Sequence, residues 1–303
     1  MKHTISYGKG NIALYRSYAA PLTGLTPVPE SAYHGQPNTI FAVDLEVEVL
    51  GDVFLPSYTH GDNSRVVPTA TITNFALKKA LSFNGATIEQ FLHYLGGAYL
   101  TQYADMEALR LTASELPFHP ISLTNDAGQT STPSDRLLAP TFDVHSVSEL
   151  LINRAGAQTL ESGLRGIKLI KLTGSAFDGF PRDEFTTLPE RVDRPLYIFM
   201  EMGWHYTDLN DGLSADVSRY IAPRQVYDVV AHTFHEFVSM SIQHLLHEMG
   251  QRLLERFPQM SGVWFRAQNR LWDTAAEADD RPDKVFMDPR PPYGHIRYAV
   301  QRQ

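Results

Sequence analysis

IFAVDLEVEVL, residues 40–50, alternates along most of its length: Val43, Leu45, Val47 and Val49 fall on one side, Asp44, Glu46 and Glu48 on the other. A period of two with one dry and one wet face is the mark of antiparallel sheet rather than of a parallel strand buried on both faces. Upstream, Tyr18 to Thr39 holds four prolines and reads as a long loop, preceded by a second strand over Ser6 to Ser17, SYGKGNIALYRS, in which Gly8 and Gly10 flank Lys9.

Downstream, the period changes. Arg65 to Ala80 and Thr87 to Ala98 follow, the latter with Ile88, Phe91, Leu92, Leu95 and Ala98 at helical spacing and Thr87 and Gln90 spaced as a capping box. Strands are expected at Ala108 to Ser114 and Thr141 to Ser146, separated by the Pro/Ser/Thr-rich stretch Leu116 to Pro140. The second half repeats this order. Ile167 to Thr173 and Pro195 to Trp204 read as strands, Arg224 to Phe237 and Ile242 to Phe257 as helices, and Gly262 to Arg266 and His295 to Val300 as closing strands. The expected architecture is a doubled α+β fold, antiparallel sheets with helices on one face, divided into domains at 1–147 and 148–303.

Composition narrows the function classes. The 303 residues are 43% hydrophobic and 20% charged, a soluble globular balance. With no Cys there is neither a disulfide nor a thiolate metal site. The net charge of −8 comes without a basic cluster, which argues against nucleic acid and leaves an anionic small molecule dependent on individually placed Lys and Arg. No apolar run approaches membrane-spanning length, and the start MKHTISYGKGNIALY has no signal-type h-region, so the expectation is a cytoplasmic protein without a membrane partner.

No Walker A loop, GxGxxG opening a helix or GxSxG elbow occurs. His232 and His235, and His244 and His247, are each three apart and could share a helix face, but neither pair forms HExxH and no third ligand is indicated, so no metal is expected. Polar chemistry concentrates in TGSAFDGFPRDEFTTLPERVDR, residues 173–194, hung between two strands. A loop so rich in polar groups is either a surface crossover or a place where a rigid scaffold presents binding residues. By themselves, Lys9 reads as an exposed strand-end charge and Thr69 as a helix N-cap.

YGKGN at 7–11, GDNSRVVPTATITN at 61–74, SAFDGFPRDEFTTLPE at 175–190, SIQ at 241–243, FRAQNRLWDT at 265–274 and DPRPPYG at 288–294 together resemble the urate oxidase (uricase) family, its bacterial branch in particular. The likeness runs in order along essentially the whole chain. It implies tandem tunnelling-fold (T-fold) units, a barrel closed by oligomerisation into a homotetramer, and active sites between subunits. It also implies oxidation of urate by dioxygen, without cofactor or metal, to 5-hydroxyisourate and hydrogen peroxide.

Position by position, the resemblance places Phe177 beneath the flat purine, Arg194 on its anionic edge, Gln243 on the opposite edge, Leu188 and Ile242 as apolar walls, and Asn269 above the ring. An aromatic face suits a planar ring, a guanidinium offers two parallel donors, and an amide pairs one donor with one acceptor. Lys9 and Thr69 match the proton relay, the threonine reaching substrate from a neighbouring subunit. Lysine serves as a base where burial or nearby cations favour the free amine.

The sequence departs from the family at three positions: Ala70 replaces an aspartate and leaves only the backbone N–H there as a ligand donor, Thr73 replaces a lysine, and Leu271 replaces a histidine of the relay. Leucine moves no proton. These departures carry the alternative readings: a different planar oxopurine or pteridine-like substrate, or a purine-binding homologue with impaired catalysis.

Overall fold

In the computed structural model, which describes residues 3–124, 128, 131–142 and 144–302, the alternating run is a strand from end to end. The first strand, β1 (Ser6–Ser17), pairs antiparallel with β2 (Ile40–Leu50), and Val43, Leu45, Val47 and Val49 are at most 1% exposed. At Gly8 a Cβ would lie 1.9 Å from the Val47 carbonyl oxygen, so the two backbones approach this closely only because no side chain intervenes. A register shift follows between Lys9 and Ile12, where Asn11 adopts φ 54°.

The chain divides into two units built from separated segments. Unit 1 is Met1–Pro27, Tyr33–Ser162 and Tyr206–Ile221; unit 2 is Val28–Ala32, Gly163–His205 and Ala222–Gln303. In unit 1, β2 is followed by a short helix α1 (Leu55–Thr59), then α2 (Thr69–Ala80) and α3 (Ile88–Gln102), then β3 (Ala108–Glu115), a separate hairpin β4 (Phe118–Thr124) and β5 (Ser131–Pro140), and β6 (His145–Asn153). The strands of its sheet lie in the order β1-β2-β3-β6, with β2 against β3 and β3 against β6 antiparallel. Helix α2 packs on β1 and α3 on β3 and β6. Phe41, Phe83 and Phe91 meet in that core at ring separations of 5.2–5.8 Å. The four-residue α4 (Asn210–Leu213) completes the unit.

Unit 2 repeats the order. After β7 (Gly156–Lys171), which begins in unit 1, come β8 (Leu196–Tyr206), α5 (Pro223–Glu236), α6 (Ile242–Arg256), β9 (Met260–Asn269), a small hairpin β10 (Thr274–Glu277) and β11 (Lys284–Phe286), and β12 (Gly294–Gln301). The strand order is β7-β8-β9-β12, with α6 packed on β9 and β12. Antiparallel sheets with a few helices are therefore as expected from the alternating pattern.

Helix starts follow the local chemistry. Thr87 caps α3 by accepting from the Gln90 amide at 3.2 Å, as the spacing predicts, but the Gln90 side chain reaches back to the Ala86 amide (2.8 Å) rather than to that of Thr87. At α2 the cap position falls to Pro68, which offers no side-chain bond, so Thr69 is the first helical residue and its hydroxyl is not a cap.

The expected strand at Thr141 to Ser146 lies further along, as β6. Its buried face carries Ser146 and Ser148 before Leu150 and Ile152, so polar residues stand at the start of the stripe where a buried strand ordinarily carries apolar ones. Ser148 is tolerated there because its hydroxyl donates to Glu89 at 2.9 Å. The two hairpins are mostly exposed and carry no buried stripe to betray them.

Among the described residues, no helix is long and apolar enough to cross a membrane. Phe91 is fully buried in unit 1. Its replacement by alanine is expected to lower stability by about 3–5 kcal/mol, measured by urea unfolding; a loss below about 1 kcal/mol would contradict this account of the core.

Candidate active site

The loop 173–194 is held by backbone pairing to the segment that opens α6. Ser175 bridges Ser239 in parallel, the Ala176 amide donates to the Ser239 carbonyl at 2.8 Å, and Phe177 and Arg191 exchange both backbone bonds at 2.7 and 2.9 Å. The Arg194 amide closes the far end on the Ser175 carbonyl at 2.9 Å. Phe177 and Arg194, seventeen residues apart in sequence, thus stand side by side, with the guanidinium carbon 5.6 Å from the ring centroid.

Asp193 locks the mouth of this loop. Its carboxylate accepts from the Thr173 hydroxyl at 2.6 Å and from the Gly174 amide at 2.7 Å. The Thr173 hydroxyl is the main cause holding Asp193 below its ordinary carboxylate value. Gly174 sits at φ +80°, and a Cβ there would also come within 3.1 Å of Lys171 Nζ. Lys171 donates to the Phe237 carbonyl at 3.0 Å, a second tie between this loop and the α5–α6 junction. Burial pulls its ammonium below the ordinary value, against the opposing pull of Asp193.

The chemistry of the pair follows from its surroundings. Burial, with Arg191 as the lesser cause, disfavours the charge on Arg194, and among the described residues its Nε has no hydrogen-bond partner. A half-buried cation with an unmet donor attracts an acceptor, best an anion that can take two parallel bonds. Phe177 stacks on Phe180 at 5.0 Å and 19°, forming an aromatic pair beside that cation. Leu188 is 37% exposed, and its carbonyl accepts from Arg182 at 3.1 Å.

Ile242 and Gln243 are the first two residues of α6, which Ser241 caps through the His244 amide at 3.1 Å. Ile242 is buried and Gln243 exposed, so the helix start presents the amide and withdraws the apolar side chain. Asn269 ends β9 opposite Gly294, half-buried, and Leu271 beyond it is 42% exposed. The neighbouring Arg270 guanidinium lies 3.4 Å from the Tyr293 ring centroid and 4.3 Å from that of Phe199, which stiffens this strand end.

Lys9, Thr69 and Ala70 belong to unit 1, and all three are exposed. Tyr7 ties their elements together: its hydroxyl accepts from the Val67 amide at 3.1 Å, two residues before Thr69, while its ring meets Phe54 edge-on at 5.1 Å. Ala70 is the second residue of α2, a position whose amide has no intrahelical acceptor.

A family model described as Uricase matches residues 160–297. The chain is 38% identical over 302 residues to the uricase of Haloferax volcanii, with 98% of each covered. The chain belongs to the uricase family. It is also 40% identical over 309 residues to the uric acid degradation bifunctional protein PucL of Bacillus subtilis, where all of this chain spans 62% of the longer protein. Among solved structures, the urate oxidase of Bacillus sp. TB-90 matches with a TM-score of 0.94 at 37% identity, over 98% of this chain and 100% of that one. A uricase from Bacillus fastidious matches with a TM-score of 0.93 at 40% identity, over 99% and 94%.

In this uricase-family chain three of the four paired histidines have separate partners. His232 faces Glu236 at 3.2 Å, His247 meets the Tyr298 hydroxyl at 2.9 Å, and His244 lies edge-on to Phe237 at 4.7 Å. Among the described residues no three His, Asp or Glu side chains converge as a metal site would require. Sequence reading missed the supporting group: Asp193, Lys171 and Tyr7. Asp193 lies within the 173–194 loop, but nothing in spacing distinguishes it from the four other carboxylates there.

Because its folded-state value is depressed, Asp193 contributes in full above the ordinary value of about 3.8 and the contribution is lost as pH falls through the lower folded value. Hydrogen exchange at the Gly174 amide is expected to show protection near neutral pH that disappears over that acidic window. In Asp193→Ala the amide should exchange freely at every pH, and equal protection in both proteins would refute the lock.

Proposed function

We propose that this chain is a cofactor-free urate oxidase, taking urate, dioxygen and water to 5-hydroxyisourate and hydrogen peroxide. The observation that carries this reading is the half-buried Arg194, its Nε unmet among the described residues, beside the Phe177 ring, in a chain related along nearly its full length to uricases. Urate is flat and anionic: Phe177 supplies the floor, Arg194 the charge-assisted fork, and Gln243 a donor and an acceptor for the opposite edge. Leu188 lines one side, Ile242 backs the other from its buried place at the start of α6, and Asn269 stands over the ring at the oxygen or water position.

Lys9 and Thr69 handle protons. Removing a ring proton makes urate electron-rich; two electrons pass to dioxygen, which leaves as hydrogen peroxide with two protons, and water supplies the hydroxyl added to the ring. With Lys9 and Thr69 in unit 1 and the recognition set in unit 2, the reading places the complete site between subunits of a homotetramer with T-fold units closed into a barrel. Phe142, Phe185, Val192 and Leu172, each at least 67% exposed, are apolar side chains that such an assembly would bury. The site needs no resident cofactor or metal.

Ala70 favours this reading over a broken relay if the ligand is met there by the backbone N–H, because alanine keeps that helix-start donor while losing the carboxylate. Leu271 favours a second one: with no proton carrier there, the pocket takes a different oxopurine or pteridine-like ring, or binds purine with impaired turnover.

Purified protein supplied with urate should consume oxygen one-for-one with urate and release peroxide after chelator treatment. Faster oxygen uptake with xanthine or 8-oxoguanine would select the second reading, and tight urate binding without peroxide would leave only the pocket. Arg194→Lys should weaken urate binding by about tenfold or more, about 1.4 kcal/mol, through loss of the planar fork. Unchanged affinity in a calorimetric titration would remove Arg194 from the site.

A further inference from the structure

The two units correspond residue for residue at several elements. Helices α3 and α6 are both 15 residues long, Ile88 answering to Ile242 and Gln102 to Arg256. Their caps, Thr87 and Ser241, each accept from the amide three residues on, at 3.2 and 3.1 Å. At the other ends, Arg154 directly after β6 donates to the carbonyls of Leu100, Tyr103 and Met106 at 3.0–3.1 Å. Arg302, directly after β12, donates to those of Leu254, Phe257 and Met260, the same three positions of the second copy.

The loops agree as well. Leu22 and Gln36 exchange two backbone bonds at 2.8 and 3.0 Å, as Phe177 and Arg191 do, and both pairs are separated by the same length of chain. In this correspondence Leu22 stands for Phe177, Thr39 for Arg194 and Glu89 for Gln243.

Glu89 is 1% exposed. One of its oxygens accepts from the hydroxyls of Ser148 (2.9 Å) and Ser162 (2.6 Å), the other from the Tyr220 hydroxyl (2.9 Å). Tyr220, itself buried, belongs to the segment Tyr206–Ile221, which Gln90 fastens by donating to the Ser214 carbonyl at 2.6 Å. Burial first, and Glu89 second, hold the Tyr220 phenol protonated and therefore a donor. Beside this cluster an open pocket of about 420 Å³ is lined in part by Leu22, Gly85, Ala86, Gln90, Leu213 and Val217. The first four are the counterparts of Phe177, Ser239, Met240 and His244.

We propose that unit 1 carries a closed second copy of the recognition site of unit 2, in which Glu89 takes the place of Gln243 and the chain's own Tyr220 phenol fills the place of the planar ligand. This rests on the reading of Gln243 as the group that meets the ligand's edge. The side-chain chemistry fits each occupant: a carboxylate only accepts and faces three hydroxyl donors, whereas an amide accepts and donates, as a heterocycle edge requires. With Leu22 and Thr39 in place of Phe177 and Arg194, the copy lacks the counterparts of that aromatic floor and that cation; the rings lining its pocket are those of Phe83, His93 and Tyr94. Emptied, it takes an uncharged, hydroxyl-bearing ring and not urate.

The test uses the full chain, with phenol and toluene as probes. In Tyr220→Ala, millimolar phenol should raise the thermal midpoint by several degrees, toluene should do clearly less, and neither should shift the wild type. No response to phenol, an equal response to toluene, or an equal response of the wild type overturns the proposal. Where Tyr220→Ala does not fold unaided, refolding yield with phenol against toluene is the same measurement, and no gain with phenol overturns it. Glu89→Gln should keep the fold, since an amide can accept from the serines and donate to Tyr220; an unfolded Glu89→Gln chain speaks against the correspondence. Urate stoichiometry should stay at one per chain in Tyr220→Ala, and two per chain overturns the uncharged assignment. Separately, unaltered urate affinity in Gln243→Ala would sink the reading of unit 2, an outcome distinct from the phenol response of unit 1.

Discussion

The backbone pairing of Ser175–Phe177 with Ser239 and Arg191 is the constraint on which the candidate site depends. Without it a loop of some twenty residues would present Phe177 and Arg194 as independent side chains, and the entropy of ordering them would fall on the ligand. With it, the floor and the cation are set before anything binds, and both are referred to the first turn of α6, where Gln243 projects. Asp193 and Lys171 secure that arrangement from its two margins, one through the loop's own hydroxyl and amide, the other through the Phe237 carbonyl.

The cost of the arrangement is concentrated in Arg194. Burial disfavours its charge and leaves Nε unmet among the described residues, a condition that most proteins relieve with a carboxylate. Here the relief is left to the ligand. Phe177, stacked on Phe180, supplies a surface that gains from a second flat ring without needing to reorient.

Much of the fold was legible because its strands and helices obey their periods. Ile40–Leu50 alternates cleanly, and α3, α5 and α6 carry apolar residues at helical spacing, so their extents came within a few residues. The failures share a physical cause. In β6 the buried face includes Ser146 and Ser148, whose inward place is stabilised by Glu115 and Glu89 far away in sequence. In the hairpins β4–β5 and β10–β11 backbone pairing alone makes the strand, and no buried stripe reports it. Within the site, residue identity suggested Phe177, Arg194 and Gln243 through resemblance, but the supports Asp193, Lys171 and Tyr7 act through backbone groups that sequence does not locate. Taken by itself Thr69 has the chemistry of a cap, but Pro68 holds that position.

The close approach at Gly8 has a bearing on how this protein can change. A side chain at position 8 would collide with the Val47 carbonyl, so one neighbour of Lys9 is closed to variation. Across the pair, position 46 is different: Glu46 is exposed, and its side chain passes 3.7 Å from where a Cβ on Gly10 would stand. Natural drift or laboratory selection that adjusts the setting of Lys9 is therefore kept off position 8 and left to position 10 and the wet face of β2 beside it.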